Sequence, residues 1–148
     1  MFKNILVPTD GSEFSMETVR RAASFAREVG AKITAFSAKP EYSATECFGE
    51  GVLVYSKSIE EFDAEAEERA QKILAFVEDL CKEASVPCKK VTASNSLVYE
   101  AIIDAAAAEG CDLIFMASHG RSGLGALLLG SETNKVLTHS KIPVLVYR

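Results

Sequence analysis

Asp112-Leu-Ile-Phe-Met-Ala-Ser-His-Gly-Arg-Ser-Gly-Leu-Gly-Ala-Leu-Leu-Leu-Gly-Ser-Glu-Thr-Asn-Lys135 is the stretch on which the reading of this chain turns. It opens with an apolar run, residues 113–117, that reads as a buried strand. It then breaks into a loop holding Gly120, Gly123 and Gly125. It closes on Gly130-Ser131 and a helical pattern running to about Ser140. A strand that ends in a glycine-rich loop and feeds a helix start is suited to binding phosphate. Glycines permit close backbone approach and positive φ. The unpaired N–H groups of the helix start then point at the anion, and the helix dipole adds to the attraction.

The flanking chain alternates. Residues 2–7 form a short apolar run stopped by Pro8, so a buried strand. Thr9-Asp10-Gly11-Ser12 is dense in turn and cap residues. Val19, Ala22, Ala23, Ala26 and Val29 recur at threes and fours, which predicts a helix, with Gly30 as its stop. Residues 33–38 make a second strand. Residues 41–57 show no period and are expected to be a long connection. Ser58 and Glu61 fit a capping box for the longest helix, roughly 40 Å if unbroken. Its acidic run from Glu60 to Glu68 reads as a solvated face. Beyond Pro87, residues 88–93 form a more polar strand, expected near a sheet edge, and Ser94-Asn95-Ser96 is expected to cap a short helix that stops at Gly110. Residues 143–147 are the last strand.

Strict alternation of strand and helix predicts an α/β fold with an open parallel sheet and right-handed crossovers. Ligands in such sheets bind beyond the carboxyl ends of the strands, where the winding reverses. Two loops carry suitable chemistry, 8–12 and 119–131.

Composition narrows the function. With 148 residues the chain is expected to be a single domain, 1–148, long enough for a proper core. A net charge of −5 argues against a nucleic-acid partner. No apolar run approaches the roughly 18 residues of a membrane span, and the apolar stretch at the N-terminus is expected to be a first strand, being too short for a signal peptide. Cys47, Cys81, Cys88 and Cys111 form no Cys-x-x-Cys pair, and two histidines are too few for a zinc cluster. They read as reduced thiols of a cytoplasmic protein, with Cys81, Cys88 and Cys111 as small apolar filler.

The glycine loop excludes two motifs. Gly125-Ala-Leu-Leu-Leu-Gly130 has the Walker spacing, but Ser131-Glu132 stands where Lys-Ser/Thr is required. Gly123-Leu-Gly125 lacks the third glycine of a dinucleotide fingerprint. From the residues alone the loop is either a phosphate or nucleotide cradle or an ordinary tight connection. Asp10 is either a ligand contact or a helix-proximal cap, and His119 and Arg121 either touch phosphate or serve the loop. A phosphorylated receiver is excluded, because the third strand ends at Ala93-Ser94 without an acceptor aspartate.

The pattern Gly-x2-Gly-x9-Gly-Ser/Thr, after a fourth strand and before a last helix, resembles the ATP-binding branch of the universal stress protein family. Ala117-Ser118-His119-Gly120, nine residues, then Gly130-Ser131 reproduces that spacing, with Ala117 in place of the first glycine. Alanine costs little there if φ is negative and strains the strand end if φ is positive. The opening Ile5-Leu-Val-Pro-Thr-Asp-Gly-Ser12 and the ending Ile142-Pro-Val-Leu-Val146 are also similar to the family.

The resemblance implies a five-stranded sheet in order 3-2-1-4-5, the adenine-nucleotide α-hydrolase-like arrangement, with helices on both faces. It implies an ATP site, or one for AMP or ADP. Pro8 and Thr9 would lie at the base side, Asp10 near ribose and phosphates, and Ala38 against adenine. Met116, Ala117, His119, Gly120, Arg121, Gly130, Ser131, Glu132 and Thr133 would complete it. Asp10 would help hold Mg or Mn indirectly, through the phosphates. It further implies a homodimer through the last strand, Val144–Tyr147. The expected role is a stress-response regulator or sensor. The alternatives are a slow Mg-dependent ATP hydrolase and a nucleotide-free interaction protein. No base or activated nucleophile is evident in the sequence.

Overall fold

The computed structural model describes residues 1–42, 58–120 and 129–148. Nine elements follow in order: β1 (Asn4–Pro8), α1 (Glu13–Val29), β2 (Lys32–Lys39), α2 (Ile59–Glu83), β3 (Cys88–Ser94), α3 (Val98–Ala108), β4 (Leu113–Ala117), α4 (Ser131–His139) and β5 (Val144–Tyr147). The strands form one parallel sheet in the order β3-β2-β1-β4-β5. The expected alternation and strand order are both present. Among the described residues no helix is long and apolar enough to cross a membrane.

Successive strand residues point to opposite faces, so each buried strand feeds two cores. Ile5 and Val7 of β1 join Ile33, Leu113 and Phe115 beneath α1 and α2. Leu6 joins Phe36, Ile114 and Met116 beneath α3 and α4. This explains why β1 and β4 read as continuous apolar runs: both faces are covered. Burial of a large apolar side chain such as Ile5 or Phe36 stabilises the fold by about 1.5–3 kcal/mol each.

The helix ends show why the segments start and stop where they do. Ser12 caps α1, accepting from the Ser15 N–H at 3.2 Å, and Gly30 closes it at φ +70°. The capping box of α2 is formed as expected: Glu61 N–H donates to Ser58 Oγ, and Ser58 N–H donates to Glu61 Oε2, both at 3.1 Å. The expected cap of α3 is different. Its N-cap is Leu97, without a side-chain bond. Asn95 Oδ1 accepts only the Leu97 N–H, at 2.9 Å, and the helix proper is capped from another helix: Glu132 Oε2 of α4 accepts the Tyr99 N–H at 2.9 Å. A local Ser-Asn-Ser signal was overtaken by an acceptor 33 residues away.

Candidate functional site

β1 and β4 are neighbours, yet their connecting helices cover opposite faces of the sheet. Winding reverses between them, so the chain leaving β1 and the chain leaving β4 part and open a crevice. A cavity of about 420 Å³ lies there, at the carboxyl ends of the strands. That volume is within the usual range for a small-molecule site.

The β1 side begins with Pro8, the last residue of the strand. Thr9 is buried, donates its N–H to Phe36 O at 2.9 Å and shares a 2.7 Å hydrogen bond between its Oγ1 and Ser15 Oγ. These bonds fix the chain at the cavity floor. Asp10 Oδ1 accepts the Ser12 N–H at 2.9 Å, so the carboxylate bridges the turn, while Ser12 is the helix cap. The cap expected in this region is therefore Ser12 and not Asp10, whose carboxylate spans the turn.

On the β4 side, Ala117 O accepts Thr133 Oγ1 at 2.9 Å, and Ser118 O accepts the Gly130 N–H at 2.7 Å. These two bonds staple the start of α4 to the end of β4. α4 begins without a side-chain cap on its first turn. Its leading N–H groups at Ser131, Glu132 and Thr133 therefore form the electropositive end of the helix at the cavity wall. His119 stacks on Phe14 with ring centroids 4.1 Å apart, and Ser118 Oγ lies 3.1 Å from its Nδ1.

The glycines act through space, not through φ. The described positive-φ glycines are Gly11, Gly30 and Gly110. Gly130 has φ −58°, and a Cβ there would lie 3.1 Å from His119 Cα and 3.2 Å from Ser118 O. At Gly120 a Cβ would lie 2.7 Å from Asp10 Oδ2. Gly120 thus lets the β4 loop close onto the β1 carboxylate, and Gly130 lets α4 approach the β4 backbone. Ala117 ends β4 in extended backbone, and among the described residues Ser85 is the one non-glycine at positive φ. Alanine therefore stands at the first glycine position of the pattern without strain.

Pro8, Thr9, Asp10, Ala38, Met116, Ala117, His119, Gly120, Gly130, Ser131, Glu132 and Thr133 all line this one cavity. Arg121 lies outside the described residues, as do Gly123, Gly125 and residues 43–57. Glu132 has work beyond the cavity: besides capping α3, its Oε1 pairs with Lys135 Nζ at 3.1 Å.

Four lining residues escaped the sequence reading: Ser15, Phe36, Val98 and Ile102. Phe36 stands two residues before Ala38 and so shares its face of β2. Val98 and Ile102 lie four apart on α3, one above the other on one helix face. Both signals were present, but nothing local said that the faces met.

The family model described as the universal stress protein family matches residues 1–148. Universal stress protein YxiE of Bacillus subtilis is 31% identical over 149 residues, covering all of both chains. The structure of a universal stress protein in complex with cAMP is similar at a TM-score of 0.73 and 24% identity, covering 99% of this chain and 97% of that one. That of the Archaeoglobus fulgidus universal stress protein in complex with dAMP is similar at 0.71 and 16%, covering 99% and 98%. With its sheet order, its crevice and its full-length match, the chain belongs to the universal stress protein family.

Proposed function

We propose that the cavity binds an adenine nucleotide, ATP foremost, and that occupancy makes the protein a stress-response regulator or sensor. The observation that carries this reading is the division of one cavity into two kinds of wall. Phe36, Ala38, Val98, Ile102 and Met116 offer an apolar end. It suits the flat face of a base. Asp10, Gly120, Gly130 and the first turn of α4 offer a polar end. It suits a ribose and phosphates, with backbone N–H groups and the helix dipole supplying the attraction. Among the described residues no three His, Cys, Asp or Glu side chains gather as a metal site. A Mg or Mn ion would therefore take its ligands mainly from the phosphates, with Asp10 beside them. That relatives were solved with cAMP and dAMP supports the base end of this reading.

The test is direct. The purified protein is denatured and the released nucleotides are separated, then ATP, AMP and adenosine are titrated by calorimetry. Bound adenine nucleotide and an ATP affinity that falls in Asp10→Ala support the proposal. No heat with any of the three at millimolar concentration rejects it. Steady phosphate release with Mg, lost in Asp10→Ala, would move the protein to the slow-hydrolase reading.

The reading extends to self-association. β5 lies at the sheet edge, and its four residues are half-buried. Its outer backbone groups could pair with a second copy about a two-fold axis. A light-scattering mass equal to one chain at micromolar concentration would sink the homodimer.

A further inference from the structure

A second cavity, of about 240 Å³, opens at the same end of the strands but on the other face of the sheet. The alternation of β2 explains its place. Ala35 faces the core beneath α1 and α2, and Ser37, two residues on, points to that same side. Ala38 points to the opposite side, toward the core beneath α3 and α4. The second cavity is the space between Ser37 and one face of α2, on which Ala66, Arg69, Ala70 and Ile73 recur at threes and fours. Ala66 and Ala70, being small, leave the room. Asp10 and Ala38 line both cavities, so the two meet across the ends of β1 and β2.

Two polar groups that line the second cavity have no hydrogen-bond or ion-pair partner among the described residues. The first is Ser37, which is only 3% exposed. Among the described residues no fully enclosed side-chain oxygen lacks a partner, so the Ser37 hydroxyl is not sealed in the core and opens on the cavity. The second is Arg69. Lower on the same helix, Lys72 pairs with Glu68, four residues before it, at 2.7 Å. Glu65 stands at the same favoured spacing before Arg69. Arg69 nevertheless leaves that acid and lines the cavity. Lys39, on β2, is taken by Glu67 at 2.6 Å and does not line it. A hydroxyl and a guanidinium are both donors, so the group that suits them is an acceptor, and beside Arg69 an anionic one.

What carries that anion follows from where the two cavities meet. The inference rests on the adenine-nucleotide reading above, in which the ribose lies beside Asp10. From a ribose there, the base runs to Phe36 and Ala38 and the 5′ phosphates run to α4. The 2′ and 3′ oxygens are left to face the second cavity. We propose that the second cavity takes a phosphoryl group carried on the 2′ or 3′ oxygen of the ribose, so that the protein prefers adenine nucleotides phosphorylated on both sides of the sugar. Arg69 supplies the charge, Ser37 a further hydrogen bond, and Asp10 accepts the ribose hydroxyl that stays free. The volume agrees with this division. It is several times the roughly 30 Å³ share of one water, so a phosphoryl group fits with hydration. It is below the roughly 300 Å³ at which separate small-molecule sites begin, so it is an annex of the first cavity.

The experiment is calorimetry on the full chain, comparing AMP with adenosine 2′,5′-bisphosphate and adenosine 3′,5′-bisphosphate at equal ionic strength. One bisphosphate is expected to bind about tenfold tighter than AMP, and which one does so identifies the oxygen. The advantage should shrink as salt is raised, because Arg69 is exposed. In Arg69→Gln, a replacement of similar helix propensity, the ratio of bisphosphate to AMP affinity should fall to about one. In Ser37→Ala the ratio should fall by about threefold. AMP binding as tightly as both bisphosphates, or more tightly, overturns the subsite and leaves the nucleotide reading standing. An advantage that Arg69→Gln retains does the same. No binding by AMP, ATP or either bisphosphate removes the nucleotide reading and the subsite with it.

Discussion

At the apolar end of the cavity the walls are core side chains. Phe36 and Ile102 belong to the core beneath α3 and α4, and they would be buried there with or without a ligand. At the polar end two glycines and the first turn of α4 bring backbone into the wall. Gly120 and Gly130 contribute no side chain; each permits a neighbour to come closer than a Cβ would allow. The first end is held by the same packing that holds the fold, so altering it should cost stability and ligand together. The second is held by a few close approaches, so altering it should cost ligand selectively, and phosphate-bearing ligands above all.

That contrast can be broken most severely at Gly130. In Gly130→Val the new side chain meets the backbone of Ser118 and His119, which must give way. ATP binding should vanish at millimolar ligand in calorimetry, while thermal unfolding shows a loss of about 1–3 kcal/mol from overpacking. Adenosine should still bind; if it is lost equally with ATP, the two ends are not separable.

Ile102→Ala tests the other end. Removing a buried branched side chain should destabilise the protein by about 2–5 kcal/mol in denaturant unfolding. Its effect on ligands should be uniform, weakening adenosine and ATP by the same factor. A loss confined to ATP would place Ile102 at the wrong end.

Gly120→Ala sharpens the comparison within the polar half. Its Cβ falls 2.7 Å from Asp10 Oδ2, the far end of a side chain, so the carboxylate can swing away at modest cost to the fold. Titrations with and without Mg should show ATP affinity reduced about tenfold, or about 1.4 kcal/mol, and only when the cation is present. An equal loss without Mg would separate Asp10 from cation placement.

The smallest effect is expected at Glu132, which spans both halves. Glu132→Ala removes the acceptor of the Tyr99 N–H and leaves the first turn of α3 without its cap. A loss of about 0.5–2 kcal/mol in stability should appear. ATP should weaken only slightly, and through Val98 and Ile102 at the start of α3 rather than through phosphate. A large, phosphate-dependent loss would give Glu132 a direct ligand role.

Where structure follows from neighbours in the chain, the sequence was sufficient. A cap within Thr9–Ser12, Gly30 as a stop and the Ser58–Glu61 capping box act over a few residues and are visible as letters, although the structure and not the sequence chose Ser12 over Asp10. The two-sided burial of β1 and β4 is visible as uninterrupted apolar runs. The strand order came with the family resemblance, since periodicity alone does not say that the fourth strand lies beside the first. Where structure depends on distant partners, the letters misled or were silent. Ser94-Asn95-Ser96 advertised a cap that Glu132 supplies instead.

The glycine loop is divided in the same way. Its sequence alone excluded a Walker motif, because a missing lysine is a missing charge whatever the fold. It also singled out the two loops, 8–12 and 119–131, that meet at the crevice, because turn residues and strand ends are written locally; Ala38 and the remaining site residues came with the family resemblance. Only the tertiary structure decided why Gly120 and Gly130 must be glycine and why Ala117 need not be. The first two are crowded by Asp10 and by the Ser118–His119 backbone, groups brought near by sheet order and helix docking, whereas Ala117 sits in extended backbone at a strand end. Backbone conformation is a local property that sequence can anticipate; close approach is a property of two segments, and it exists only once both are folded.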